Sequence, residues 1–150
     1  MTIEVPVSDL PQWVGKEIGP GEWHEITQER VDQFAEATGD HQWIHVDPER
    51  AAVGPFGATI AHGYLTLALV PKLASQVYTV EGLAMSVNYG CDKVRFPSPV
   101  PTGSRIRAGV ELLSLTRGEK GSRSTVHVTI QREGADKPVC VADTVIVLVP

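Results

Sequence analysis

The sequence predicts an α+β fold in which an antiparallel sheet wraps around one long, nearly apolar helix. Two observations carry this expectation. Between Gly63 and Tyr78, Leu65, Leu67, Ala68, Leu69, Val70, Leu73, Ala74 and Val77 put apolar side chains on nearly every side of a helix, the pattern of a buried element rather than a surface one. After it, residues 104–115 and 122–132 alternate apolar and polar with a period of two. One apolar face per strand is characteristic of an antiparallel sheet.

The elements can be justified in chain order. Residues 22–26 allow a short strand. Thr27 is a good N-cap, because its hydroxyl can accept from a free amide of the first turn. Val31, Phe34, Ala35 and Thr38 recur at helical spacing, and Gly39 suits the left-handed position that follows a last turn. Asp47-Pro48 opens a shorter helix with proline at its first position. Pro71 predicts a kink near the first turns of the long helix. Short strands are expected at 84–89 and 93–96. Ile106, Ala108, Val110 and Leu112 define one face of the next strand, opposite Arg105, Arg107 and Glu111. Val126, Val128 and Ile130 do so in the one after, opposite His127, Thr129 and Gln131. Residues 139–149 are apolar on both faces, as a central strand would be, and 118–121 and 134–138 read as hairpin loops. The economical packing of these elements is the hotdog arrangement, with the sheet curled about the helix.

The bulk composition limits the functional classes. A length of 150 residues suits one domain, and no repeat or linker divides it. The formal net charge of −5 disfavours nucleic acid as a partner. Cys91 and Cys140 alone make no disulfide framework, which fits a reducing cytoplasm. Met1 to Leu10 lacks the pattern of a signal peptide, and no apolar run approaches the ~20 residues that cross a bilayer.

Polar chemistry concentrates in residues 38–47, Thr-Gly-Asp-His-Gln-Trp-Ile-His-Val-Asp. Asp40 and His45, five residues apart just after a helix, can converge on a water molecule, one taking its proton and the other positioning it. An alternative stays open, in which Asp40 and Asp47 merely cap helices and the histidines are solvated. A metal bound by His41, His45 and Asp47 is conceivable, but no familiar ligand spacing supports it. Ala61-His62-Gly63-Tyr64 begins the apolar helix, where free amides can meet a developing oxyanion and a glycine permits close approach. The alternative there is a glycine that only turns the chain. His24 and His127 fall in strand patterns and are expected to face solvent. Asp92, Lys93, Arg95, Arg105 and Arg107 form a mostly basic stretch that suits either a phosphate or a solvated strand face.

Gly39-Asp40-x-x-x-Ile44-His45 resembles the signature of the R-specific enoyl-CoA hydratases, the MaoC-like dehydratases, which reads Gly-Asp-x-Asn-Pro-(Ile/Leu/Val)-His. Ile60-Ala61-His62-Gly63-Tyr64-Leu65 resembles the family's approach to its central helix. Val87-Asn88-Tyr89-Gly90, Lys93-Val94-Arg95-Phe96 and Pro99-Val100-Pro101-x-Gly103 are similar to its strand pair and following loop. Two positions depart from the signature: Gln42 replaces Asn, and Trp43 replaces Pro, removing a backbone lock and adding bulk.

The resemblance implies a hotdog homodimer that hydrates trans-2-enoyl thioesters, or dehydrates 3-hydroxyacyl thioesters, in fatty acid metabolism. Asp40 and His45 would be catalytic. Ile60, Ala61, His62, Gly63, Gln42, Ser86, Val87, Asn88, Tyr89 and Arg95 would hold the oxyanion and substrate. The substrate would be an acyl-CoA or acyl-carrier-protein thioester, with no cofactor and no metal. A hotdog thioesterase and a non-catalytic acyl-thioester-binding subunit are the rival readings; the presence of both Asp40 and His45 argues against the second.

Overall fold

The computed structural model describes residues 1–150. The chain begins with β1 (Ile3–Pro6) and a 3₁₀ helix (Val7–Trp13), followed by the two-residue strands β2 (Glu17–Ile18) and β3 (His24–Glu25). A helical segment comes next: α1 (Gln28–Thr38), α2 (Trp43–Val46), α3 (Pro48–Ala52), α4 (Gly63–Ala68) and α5 (Val70–Ser75). The strands β4 (Tyr78–Glu81), β5 (Met85–Arg95), β6 (Arg105–Gly118), β7 (Gly121–Arg132) and β8 (Cys140–Val149) complete it.

The main sheet has the order β2-β6-β7-β8-β5, with β3 also pairing with β6, and every pairing in it is antiparallel. Its inner face is the one the alternation predicts. Ile106, Ala108, Val110 and Leu112 of β6 and Val126, Val128 and Ile130 of β7 are buried. They pack in one cluster with Leu65, Val70 and Leu73 of α4 and α5. The sheet therefore curls about these helices in the hotdog arrangement. β8, apolar on both faces, lies between β7 and β5, hydrogen-bonded on both edges. No helix is long and apolar enough to cross a membrane.

The caps form as their chemistry requires. The Thr27 hydroxyl accepts from the Arg30 amide at 3.2 Å, and Gly39 ends α1 at φ +79°. Pro48 begins α3, and the Asp47 carboxylate accepts from the Arg50 amide at 3.1 Å.

Three expectations need correction. The long helix is two short ones: α4 closes where the Leu69 amide bonds to Leu65 and Thr66, and α5 carries Pro71 in its first turn. Proline has no amide to continue the ladder, so the chain restarts rather than merely bending. By Tyr78 it has entered β4, which pairs in parallel with β1; neither strand shows in the sequence pattern, because both are too short to display a period. The helix pair is also not buried all round. Tyr64 is 71% exposed, and Ala68 and Pro71 on the same stripe are exposed as well. Finally, the two strands expected at 84–89 and 93–96 are one strand, β5, continuous through register shifts near Tyr89 and Asp92. β5 is an edge strand, and almost all of it is exposed.

Candidate active site

The candidate site forms where two loops meet: the segment after α1 that carries Asp40 and His45, and the segment 59–63 that leads into α4. The second is pinned on both sides. The Ile60 amide donates to the Ile44 carbonyl at 3.0 Å, the Ala61 amide to the Val100 carbonyl at 2.8 Å, and the Thr102 amide to the Thr59 carbonyl at 2.9 Å.

His45 is only 7% exposed, and its ring is oriented by this segment. Its Nδ1 lies 2.7 Å from the Ile60 carbonyl. A carbonyl oxygen can only accept, so Nδ1 carries the hydrogen and Nε2 keeps its lone pair. Burial holds the His45 pKa below the ordinary histidine value; His62 adds to the lowering, while the Ile60 bond and Asp40 oppose it. The backbone of His45 is held too. Its carbonyl accepts from the Gln28 carboxamide at 2.8 Å, and Gln28 in turn accepts from the Thr59 hydroxyl at 2.6 Å.

Asp40 does not cap a helix. Its carboxylate accepts only from the Gln42 amide, at 3.3 Å, and the residue is exposed. A side-chain atom from each of Asp40, His45 and His62 lies within 4.8 Å of the others. A water that makes two bonds of about 2.8 Å at a near-tetrahedral angle spans about 4.5 Å between its acceptors, so this spacing suits a shared water.

A metal fits these donors poorly. The His45 and His62 rings stack at 3.8 Å and 22°. Imidazole lone pairs lie in the ring plane, so nearly parallel stacked rings do not aim them at one ion. The combination of His41, His45 and Asp47 is not assembled either, since His41 faces Glu36 at 3.4 Å and Asp47 caps α3.

Gly63 is the first residue of α4, where an amide has no intrahelical acceptor. The space that its side chain would occupy is already taken: an added Cβ would stand 2.9 Å from Phe96 Cδ2. The glycine therefore admits Phe96, and the free N–H rather than the missing side chain is what a ligand can use. Phe96, Gln28 and Thr59 are site residues that the sequence reading missed. Nothing in local periodicity marks them, because their contacts in the site join residues 17 to 43 positions apart.

The other expected residues divide into two groups. Ser86, Asn88 and Tyr89 line an apolar cavity of about 690 Å³ between β5 and the exposed sides of α4 and α5, together with Leu67, Ala68 and Pro71. Val87 is not part of that lining and is 44% exposed. Arg95 donates to the carbonyl of its own neighbour, Val94, and is exposed. Of the remaining basic residues, Arg105 pairs with Glu133 at 2.6 Å, and Arg107 stacks on Trp23. His24 and His127 do not simply face solvent. His24 lies 2.7 Å from Arg30, and His127 Nδ1 lies 2.6 Å from Asp143.

An exposed carboxylate beside a buried imidazole, at the start of a helix pair wrapped by an antiparallel sheet, fits the hotdog class of protein. The comparisons give the family. Residues 9–134 match the MaoC like domain, so the chain belongs to that family. It is 55% identical over 141 residues, 93% of each chain, to 3-hydroxyacyl-thioester dehydratase Z of Mycobacterium tuberculosis. It is 43% identical over 148 residues to nodulation protein N of Rhizobium leguminosarum bv. viciae, covering 97% of this chain and 92% of that one. Among solved structures, the (R)-hydratase from A. caviae involved in PHA biosynthesis superposes with a TM-score of 0.72 at 26% identity, over 90% of this chain and 96% of that one.

Trp43, the departure from the family signature, turns away from the site. It is two residues from His45 on α2, which places the two side chains on opposite sides of the helix. Its ring lies between the Arg50 guanidinium, 4.2 Å from the ring centroid, and Gly54, where a Cβ would be 3.0 Å from the ring. The ring thus fastens α3 to α2, a constraint that a proline would otherwise supply through the backbone. Gln42 has φ −56° and ψ 137°, which a following proline accepts. Trp43→Pro is therefore expected to keep its fold and most of its activity. Trp43→Ala, which loses both constraints, should unfold at lower urea, by about 1–3 kcal/mol. A stable Trp43→Ala and an inactive, folded Trp43→Pro would contradict this account.

Proposed function

We propose that this chain, read as one MaoC-like domain over residues 1–150, is an R-specific hydro-lyase that interconverts trans-2-enoyl and 3-hydroxyacyl thioesters. The observation that carries the reading is that the Asp40 carboxylate and a ring nitrogen of His45 lie within 4.8 Å of each other, with the His45 Nδ1 already committed to Ile60, beside the free Gly63 amide. The names of the relatives support it.

In this reading both groups are hydrogen-bond acceptors in the resting site. They engage the two hydrogens of one water and leave its lone pair free for the substrate. The thioester carbonyl takes the Gly63 N–H. The water oxygen bonds to Cβ, the π electrons move toward Cα and the carbonyl oxygen, and the amide holds the enolate-like charge. The pair receives the water's proton and delivers one proton to Cα, so the site returns to its starting protonation. Dehydration is the same path reversed. The cavity beside Ser86, Asn88 and Tyr89 takes the acyl chain, and the thiol is CoA or a carrier-protein pantetheine arm. Cys91 and Cys140 are both free thiols, in keeping with a cytoplasmic setting.

The reading includes a homodimer. β5 leaves eleven residues of strand edge unpaired, and Met85, Val87 and Tyr89 on it, with Tyr64 of α4, are exposed apolar side chains. An open edge of this length is a template for pairing, and a second copy satisfies it by closed two-fold symmetry. Sedimentation at micromolar protein should give twice the 16.2 kDa chain mass; a monomer would reject this part.

Crotonyl-CoA is the discriminating substrate. Loss of the enoyl absorbance without release of free thiol is expected, whereas thiol release would mark a thioesterase. Asp40→Asn and His45→Gln should each lower kcat/KM by a factor on the order of 10² or more with the circular dichroism unchanged. Because His45 must be neutral and burial lowers its pKa, the wild-type activity should persist below the ordinary histidine value of 6.5 and fall only at lower pH. An acid limb above 6.5 would go against the assignment.

Gly63→Val should also lower kcat/KM sharply, through collision with Phe96 as well as beside the amide. The double variant Gly63→Val/Phe96→Ala removes the collision but keeps a side chain at the proposed oxyanion position. If that folded double variant recovers wild-type kcat/KM, the carbonyl is held elsewhere.

A further inference from the structure

We infer that His62 is a positioning residue, which fixes the separation of Asp40 and His45 by bonding the backbone of one and stacking on the ring of the other. The inference rests on the reading of Asp40 and His45 as the acid/base pair. It gives His62 a role different from substrate contact.

Three contacts carry it. His62 Nε2 lies 2.9 Å from the Asp40 carbonyl. Since a carbonyl only accepts, Nε2 carries the hydrogen and donates it, so it is not available to a ligand. One face of the ring stacks on His45 at 3.8 Å and 22°. Phe34 of α1 stands 4.9 Å from the same ring, at 58°. The residue is 3% exposed and immediately precedes Gly63. One side chain therefore touches the Asp40 turn, the His45 ring and α1 while sitting next to the proposed oxyanion amide. Moving it would shift the Asp40 turn relative to the His45 ring, and a misplacement of about 1 Å can cost on the order of 10²-fold.

The same geometry controls charge. His62 Nδ1 is buried with no hydrogen-bond partner, so no second hydrogen bond holds the ring. Two imidazolium rings stacked face to face repel. The titratable groups that face His45 are Asp40 from the turn and His62 from the segment before α4; Asp40 favours its proton and His62 opposes it. His62 thus helps to keep His45 neutral with a bare Nε2.

Two variants separate the bond from the ring. His62→Phe keeps an aromatic ring but has no donor for Asp40. His62→Gln keeps a donor and loses the stack. Relative to wild type on crotonyl-CoA, His62→Phe should lower kcat on the order of 10-fold or more, with KM little changed. His62→Gln should recover part of that loss. In both, the acid limb of the kcat profile should move to higher pH, because the opposing imidazole is gone. Nitrogen-15 shifts of the wild-type ring, which need no variant to fold, should report an Nε2–H neutral tautomer. Wild-type kcat in a folded His62→Phe would overturn the inference. So would a kcat loss with an unmoved acid limb in both variants, which would make His62 packing only, or an Nδ1–H tautomer. If Asp40→Asn and His45→Gln are themselves fully active, it is the underlying reading that fails.

Discussion

The hydrogen bond from His45 Nδ1 to the Ile60 carbonyl is the contact on which the rest of the site depends. It fixes the tautomer, and with it the fact that Nε2 faces the site as an acceptor. It also joins two loops that the chain otherwise holds apart by fifteen residues. Neither loop has much regular structure to hold it: α2 has four residues, and segment 59–62 contributes only the isolated bridge of Ile60 to Pro101. The bond therefore needs support, which comes from the ladder Ile60 to Ile44, Ala61 to Val100 and Thr102 to Thr59. Gln28 closes the arrangement by binding the His45 carbonyl from the first turn of α1 and accepting from Thr59. A buried imidazole is tolerable here because its Nδ1 and its backbone carbonyl are both hydrogen-bonded.

The sheet contributes rigidity to this arrangement more than chemistry. The loop at 100–102 that receives Ala61 leads directly into β6, the strand with the most extensive pairing, which carries β2, β3 and β7. The inner faces of β6 and β7 pack on α4 and α5, so the start of α4 is located by the core itself. The loops of the candidate site are thus short bridges between well-fixed elements. That is the usual way for a scaffold to hold reactive groups at fixed separation while the loops remain free to vary in sequence.

How much of this was legible follows from what each feature depends on. β6, β7 and β8, the cap at Thr27, the turn at Gly39 and the start at Pro48 were readable, since each is set by a local period or a single residue's chemistry. The Asp40/His45 cluster was readable as a motif and is brought together in space. The double break of the 63–78 helix was visible only as Pro71, because a proline marks an interruption without saying whether the helix bends or restarts. The exposure of Tyr64, Ala68 and Pro71 was not readable, since an apolar helix stripe looks the same whether its cover is the chain's own sheet or another molecule. Gln28, Thr59 and Phe96 were invisible for a different reason. They matter through contacts distant in sequence, and their residue types are ordinary for their positions.

Gly63 illustrates how one motif can carry more than one physical reason. Glycine next to a helix start invites the interpretation that the ligand needs the space. Here Phe96 fills that space, with its ring carbons about 3 Å from where a Cβ would be, and Tyr64 meets the same ring edge-on with centroids 6.2 Å apart. What remains at Gly63 is an amide with no partner in its helix and an aromatic ring against its side. An apolar wall lowers the local dielectric, and a hydrogen bond to an oxyanion gains strength in that setting. The glycine and the phenylalanine are packed as a pair: the absence of a side chain at residue 63 lets the ring of residue 96 lie against the backbone there. Substituting either residue alone should disturb the other, whereas a ligand-clearance role for Gly63 would leave Phe96 indifferent.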